Sequence, residues 1–142
     1  MFPGYRFWLK AASVFQILTG LIHSIGLFSE MKGQNETEEK MLELMTSHKM
    51  DMGAGMFHSM MDLFLALSSC FTFLYILGGV NNFFLIKKLD QKDLKGYLVV
   101  NILVFGTCFG VMLFLTFLPP IIFTGIVFAL LVASIVTLPK SN

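Results

Sequence analysis

The chain is a succession of long apolar runs separated by short polar connections. Two runs without Lys, Arg, Asp or Glu lie at 11–28 and 63–86, and the second is already apolar from Gly55 onward. A helix needs about 20 apolar residues to cross the hydrocarbon core of a bilayer. The two runs therefore predict membrane-spanning helices at about 7–29 and 55–80.

The last apolar run, 96–139, is twice as long as one crossing requires. It contains no charged residue, and as a single helix it would measure about 66 Å. Pro119 and Pro120 interrupt it near the middle, and proline within a helix removes a hydrogen-bond donor and clashes with the preceding turn. We therefore predict two antiparallel spans, about 97–118 and 120–138, joined by a tight turn.

Composition agrees with an integral membrane protein whose main partner is the lipid bilayer. Of the 142 residues, 56% are hydrophobic and 13% are charged, against about 45–50% and 25% in soluble domains. The length indicates one domain, residues 1–142. The net charge of +1 argues against nucleic acid as a partner.

Basic residues predict the orientation, because Lys and Arg collect on the cytoplasmic side. Arg6 and Lys10 lie at the N-terminal end of the first span. The connection after the second span adds Lys87, Lys88, Lys92 and Lys95. The first connection is acidic instead, with Glu30, Glu36, Glu38, Glu39, Glu43 and Asp51. We expect a bacterial inner (plasma) membrane protein with N and C termini in the cytoplasm and the acidic connection outside.

The acidic outer connection also has the pattern of a short helix. Asn35 or Thr37 suits its N-cap, and Glu38 and Glu39 suit its first turn. Apolar and imidazole side chains follow at helical spacing, at Met41, Leu44, Met45, His48 and Met52. The predicted fold is therefore all-α, a four-helix transmembrane bundle with a short amphipathic helix in the outer loop.

Small residues mark the faces on which membrane helices pack. The third span has Gly106 and Gly110 at a four-residue step, and the fourth has Gly125, Ala129 and Ala133. We predict that these two motifs face each other across the tight turn. A homo-oligomer contact is the alternative.

Polar residues in the first two spans also share helix faces. Gln16 and His23 lie on one face of the first span, and Ser59, Asp62 and Ser69 lie on one face of the second. Because the two helices are consecutive and antiparallel, we expect these stripes to meet as an interhelical polar face.

His23, His58 and Asp62 form the main candidate for chemistry. Asp62 is predicted to lie one to two turns inside the second span, at a depth similar to those of His23 and His58, with His48 above them. Imidazole and carboxylate are ligands for Zn²⁺ and other divalent metals, and they also serve as proton relays or acid–base pairs. The alternatives are a purely interhelical hydrogen bond, or a pocket for a lipid headgroup or small ligand.

Methionine is concentrated in the same part of the chain. Seven of the ten methionines lie between positions 41 and 61, at Met41, Met45, Met50, Met52, Met56, Met60 and Met61. Thioethers beside imidazoles favour Cu(I). Methionine is equally a flexible filler of apolar helices, so both interpretations stay open.

The order of features resembles a family of small bacterial four-helix membrane proteins of unassigned function. The matching residues are the start Arg6-Phe7-Trp8-Leu9-Lys10, His23, Met52-Gly53, Ser59 and Asp62-Leu63-Phe64. The likeness to DoxX-like proteins is one of architecture. The resemblance implies a four-helix fold and brings no substrate with it.

Three hypotheses about function follow. The first is a structural or accessory subunit that acts through its helix faces, with a membrane-protein partner or a second copy. The second is a metal-binding protein or metal-dependent membrane enzyme, and the third is a binder of lipid or a small hydrophobic ligand. Whether the chain is an enzyme is left open by the sequence.

Overall fold

A computed structural model describes residues 4–139 of the chain, except for the side chain of Gln91. The two chain ends, for which a cytoplasmic location is predicted, lie outside these residues. In chain order the elements are α1 (Tyr5–Leu27), α2 (Glu36–Ser47), β1 (Lys49–Asp51), β2 (Phe57–Ser59), α3 (Met60–Lys88), α4 (Gln91–Leu115) and α5 (Leu118–Val136).

Four of the described helices, α1, α3, α4 and α5, are long and apolar enough to cross a membrane. They contain 23, 29, 25 and 19 residues. At 1.5 Å per residue the longest measures about 43 Å, more than the hydrocarbon core of about 30 Å. The prediction of four apolar spans is confirmed at this level.

The prolines begin the fourth span instead of separating it from the third. α4 ends at Leu115 and α5 begins at Leu118, so Pro119 and Pro120 lie in the first turn of α5. The first amides of a helix have no partner within that helix, and a proline there loses nothing. The predicted span 97–118 therefore ends a few residues too late, and the predicted span 120–138 begins a few residues too late.

The start of the second span differs most from the prediction. The structure has an antiparallel hairpin of β1 and β2, so the all-α prediction is wrong here. Its turn holds Gly53, Ala54 and Gly55 at φ of 87°, 53° and 77°, a left-handed conformation that no α-helix of L-residues contains. α3 consequently runs from Met60 to Lys88 and not over 55–80.

α2 begins where the sequence predicts a helix N-terminus. The Asn35 side chain accepts a hydrogen bond from the amide of Glu38 at 3.0 Å, and the Glu38 carboxylate accepts one from the amide of Gln34 at 2.7 Å. Two amides without helical partners are satisfied in this way. No residue of α2 is buried, and Met41 and Leu44 are exposed.

The chain divides into two compact units. The first contains the residues up to Thr19 and those from Tyr75 onward, and the second is Gly20–Leu74. All the buried hydrophobic side chains in the described part of the chain belong to the first unit. They are Leu9, Ala12, Tyr75, Ile86, Leu94, Leu98, Phe105, Val127 and Leu131.

Within the first unit, α4 and α5 pack by placing phenylalanine rings against glycines. A Cβ atom added to Gly106 would lie 2.9 Å from the ring of Phe128, and one added to Gly125 would lie 2.9 Å from the ring of Phe109. The two rings stack with their centroids 6.0 Å apart. Gly110 has nothing within 4 Å of such an atom. The predicted direct contact of two small-residue motifs is therefore replaced by rings seated on single glycines.

The buried face of α5 is also displaced from the predicted one. Ala129 is exposed and Ala133 is half-buried. The side chains that are buried on this helix are instead Thr124, Val127, Leu131 and Ser134. Two of these side chains bond to other helices, Thr124 to Tyr75 on α3 and Ser134 to the backbone of Tyr5 on α1.

Candidate functional site

The most deeply buried polar side chains form an amide pair in the first unit. Gln16 on α1 and Asn82 on α3 are both 0% exposed, and the Asn82 Nδ2 donates to the Gln16 Oε1 at 2.7 Å. Their other polar atoms, Gln16 Nε2 and Asn82 Oδ1, are buried without a hydrogen-bond partner among residues 4–139. The pair thus joins two apolar helices by one internal hydrogen bond.

Two adjacent glycines allow α3 to approach α1 at this level. A Cβ atom on Gly79 would lie 2.6 Å from the backbone oxygen of Ser13 and 2.7 Å from Ile17. On Gly78 it would lie 3.2 Å from the Gln16 Nε2. The glycines therefore leave room for the amide pair, in the way that small residues do where membrane helices come close together.

Two further hydrogen bonds link helices in the first unit. The hydroxyls of Tyr75 on α3 and Thr124 on α5 lie 2.9 Å apart, and both residues are buried. The Ser134 hydroxyl on α5 donates to the backbone oxygen of Tyr5 on α1 at 3.2 Å. These hydroxyl groups in apolar helices are thus bonded to partners on other helices.

Sequence reasoning found one half of the amide pair and missed the other. The sequence predicts Gln16 on an interhelical polar face, in contact with the face of the second span that contains Ser59 and Ser69. Its partner is Asn82, which the sequence shows as a polar residue within a span. The shorter predicted span, 55–80, excluded that position.

Asp62 lies in the first turn of α3 and not deep within a span. Its carboxylate accepts from the amide of Ser59 at 2.9 Å, and the Ser59 hydroxyl accepts from the amide of Asp62 at 3.1 Å. These reciprocal bonds form a capping box at the helix start. The predicted depth is therefore wrong. In the sequence, the Ser-x-x-Asp spacing ahead of an apolar run is a capping-box pattern, and it indicates this helix start.

The predicted polar stripe on the second span serves different purposes along its length. Ser59 is 2% exposed and is engaged in the capping box within its own segment, whereas Ser69 is half-buried within α3. Gln16 bonds to Asn82.

The histidines are in separate surroundings. His58 Nδ1 lies 3.9 Å from the Asp62 carboxylate, with both side chains about half exposed, at 50% and 53%. The His23 ring packs edge-on against Phe71 with centroids 4.9 Å apart, and its buried Nε2 has no hydrogen-bond partner among the described residues. His48 is the C-cap of α2, and its amide donates to the Leu44 oxygen.

The predicted metal cluster of His23, His48, His58 and Asp62 is consequently not assembled in the described part of the chain. Residues 4–139 contain no group of three or more His, Cys, Asp or Glu side chains that could hold a metal ion. Of the four, His58 and Asp62 form a close pair, with 3.9 Å between His58 Nδ1 and the Asp62 carboxylate. A divalent metal bound by all four side chains stays a prediction.

The second unit contains a pocket of about 390 Å³. Its walls come from the end of α1, the segment that follows it, α2 and the start of α3. The lining combines apolar side chains with charged and hydroxyl-bearing ones. It consists of Leu27, Ser29, Glu30, Met31, Lys32, Leu42, Thr46, Met61 and Leu65. Such a lining suits an amphiphilic molecule.

Comparison of the chain with known proteins finds no match among protein-family models, characterised proteins or solved structures. The resemblance to small bacterial four-helix membrane proteins therefore stays a prediction, and the interpretation of function depends on the chain's own residues.

Proposed function

We propose that this chain is a structural or accessory subunit of a bacterial inner membrane, a four-helix bundle that acts through its apolar helix faces. The observation that supports this most is the Gln16–Asn82 pair, which is fully buried and joined by a hydrogen bond between helices. A catalytic or transport centre would instead gather polar side chains around a space open to substrate.

The other polar contacts of the first unit support the same proposal. Tyr75 bonds to Thr124, and Ser134 bonds to the Tyr5 backbone. Each of these bonds fixes the register of two helices. The apolar side chains on the outward faces, for example Leu67 at 74% and Phe114 at 88% exposed, are then available to lipid and to a partner.

The proposed orientation has the N and C termini in the cytoplasm. Lys87 and Lys88 lie in the last turn of α3, and Lys92 and Lys95 lie in α4. Arg6 and Lys10 lie near the start of α1, and together with these lysines they support a cytoplasmic location for this end of the spans. α2, with its exposed Met41 and Leu44, would lie on the outer surface of the membrane.

Native mass spectrometry of the untagged chain, released from native membrane vesicles, tests the subunit role. We expect the 16.0 kDa chain to appear in a complex of defined stoichiometry, with further copies or with another membrane protein. Asn82→Leu, which removes one member of the buried pair, should reduce the amount of that complex. The matched variant Leu67→Ala, at an exposed position on the same helix, tests whether the partner contacts that face.

A chain that is always released alone would contradict the subunit role. If that single chain carried one bound small molecule, the result would support a ligand-binding function instead.

The pocket of the second unit favours one alternative, the binding of a lipid or small hydrophobic ligand. Leu42, Met61 and Leu65 are apolar lining residues, and the lining residues Glu30 and Lys32 carry opposite charges, with their charged atoms 3.7 Å apart. An acyl chain would contact the apolar residues. A zwitterionic headgroup would match the two charges.

The same mass spectra test this alternative by the lipid retained on the chain. Met61→Trp should displace a bound lipid by filling the pocket, whereas the control Leu67→Trp, on α3 but outside the pocket, should retain it. Equal retention by both variants would show that the lipid is annular and not held by the pocket.

A further inference from the structure

The β-hairpin brings methionines and a histidine to one face. Met50 pairs with His58 across the two strands, and the amide of Met52 donates to the oxygen of Met56 at 2.9 Å, which extends the pairing by one step. Side chains two residues apart on a strand project to the same side. Met50, Met52, Met56 and His58 therefore share one side of the hairpin, here named the methionine face.

Three of these four side chains are exposed, and Met50 is half-buried. Met52 and Met56 are 40% and 52% exposed, and the His58 side chain is 50% exposed. The usual structural use of methionine, the filling of irregular gaps in an apolar interior, does not account for thioethers in exposed positions.

On the opposite face of the hairpin, Asp51 and Ser59 make hydrogen bonds within their own segments. Asp51 Oδ1 accepts a hydrogen bond from the amide of Gly53 at 2.8 Å and closes the turn. Ser59 is engaged in the capping box of α3. The carboxylate and hydroxyl are thus separated from the methionine face by strand alternation.

The methionine face has the donor set of a soft cation. Three thioethers and one imidazole favour Cu(I) over Zn²⁺ or Mg²⁺, which prefer nitrogen with thiolate, or oxygen. Directly paired residues in such a ladder have Cα atoms about 5.5 Å apart, and the three rotatable bonds of methionine let sulfur atoms from both strands converge. Asp62, 3.9 Å from His58 Nδ1, is placed to orient the imidazole as its Nε2 binds.

We propose that the hairpin binds one Cu(I) ion through Met50, Met52, Met56 and His58. This site differs from a divalent centre built on His23, His58 and Asp62, with which it shares His58, because its ligands include no carboxylate and no residue of α1. It also goes beyond the subunit role, since it gives the connection between α2 and α3 a ligand of its own.

The test is an anaerobic competition titration of the full-length protein in detergent micelles, with Cu(I) presented as its bicinchoninate complex. We expect the protein to withdraw about one Cu(I) per chain, and the pair Met52→Leu with Met56→Leu to weaken binding by roughly tenfold or more. Leucine preserves the size and apolar character of the side chains. The matched control is Met41→Leu with Met45→Leu on α2, which should bind as the unaltered protein does.

The free cysteines Cys70 and Cys108 are a competing source of soft ligands. A variant with Cys70→Ala and Cys108→Ala should keep its Cu(I), and loss of binding in it would overturn the proposal. The proposal would also fail if the protein withdrew no Cu(I), or if the α2 control lost as much affinity as the hairpin variant. Binding of Zn²⁺ that depends on His58 but not on Met52 and Met56 would assign a divalent site instead.

Discussion

The two compact units use their polar side chains in different ways. In the unit containing the residues up to Thr19 and from Tyr75 onward, Gln16 and Asn82 are fully buried and bonded across helices. In the unit Gly20–Leu74, Asp62 and His58 are about half exposed, and Asp62 caps a helix beside a hairpin.

The difference follows from where each polar group lies along its helix. A polar group in the middle of an apolar helix has no water to bond in a bilayer, so it needs a partner within the protein. A polar group at a helix end has unpaired backbone amides beside it, and it satisfies those. Burial with a partner therefore indicates assembly, whereas exposure leaves a side chain available to an ion or ligand.

The largest expected effect comes from closing the space between α1 and α3. Gly79→Ala would place a Cβ atom 2.6 Å from the Ser13 backbone oxygen, and backbone cannot yield as a flexible side chain can. We expect a loss of about 3 kcal/mol in the free energy of unfolding, measured by titration of mixed micelles with dodecyl sulfate.

Gly110→Ala is the control for this measurement, because nothing lies within 4 Å of its added atom. Alanine is favoured over glycine inside a helix, so stability should stay equal or rise by up to about 1 kcal/mol. Equal losses at the two positions would mean that α3 does not approach α1 as described.

A smaller loss is expected at Gly106. Its added Cβ atom would meet the outer edge of the Phe128 ring at 2.9 Å, and a ring edge can rotate away. Gly106→Ala should therefore cost about 2 kcal/mol in the same titration. Adding Phe128→Leu should recover part of that loss. Failure of the second substitution to compensate would contradict the seating of a ring on this glycine.

The smallest effect is expected at the capping box of the second unit. Ser59→Ala should cost about 1 kcal/mol and should speed hydrogen exchange at the first amides of α3, with Asp62→Asn changing the same amides in the same direction. The control Ser69→Ala, inside the helix, should leave those amides unchanged. If exchange stayed slow after Ser59→Ala, the capping bonds would not be holding the helix start.

Much of the fold could be predicted because lipid imposes simple length and polarity rules. The four apolar spans follow from them, and the Asn35 cap of α2 follows from the preference of helix N-termini for Asn. The start of α3 was predicted too early because the sequence is apolar from Gly55, although residues 53–55 form a turn with positive φ angles. The same error placed Asp62 one to two turns inside the helix instead of in its first turn. Asn82 was missed for the same reason. No periodicity in the sequence shows which helix a buried amide will contact.

Pairing of the hairpin strands was equally beyond the sequence argument. The methionines were visible as a cluster, but their assignment to one face depends on the register Met50↔His58. A shift of one residue would move the histidine to the other side. Composition therefore indicated the donor types, and only the strand pairing indicated which of them come together.

The most direct test of the account is a double-mutant cycle on the buried amide pair, using Gln16→Leu, Asn82→Leu and both together. Each single variant leaves a buried amide without its partner and should lose about 1–3 kcal/mol of unfolding free energy. The double variant removes both, so its loss should be smaller than the sum of the single losses by roughly 0.6 kcal/mol or more. Strictly additive losses would contradict the claim that these two side chains hold the helices together.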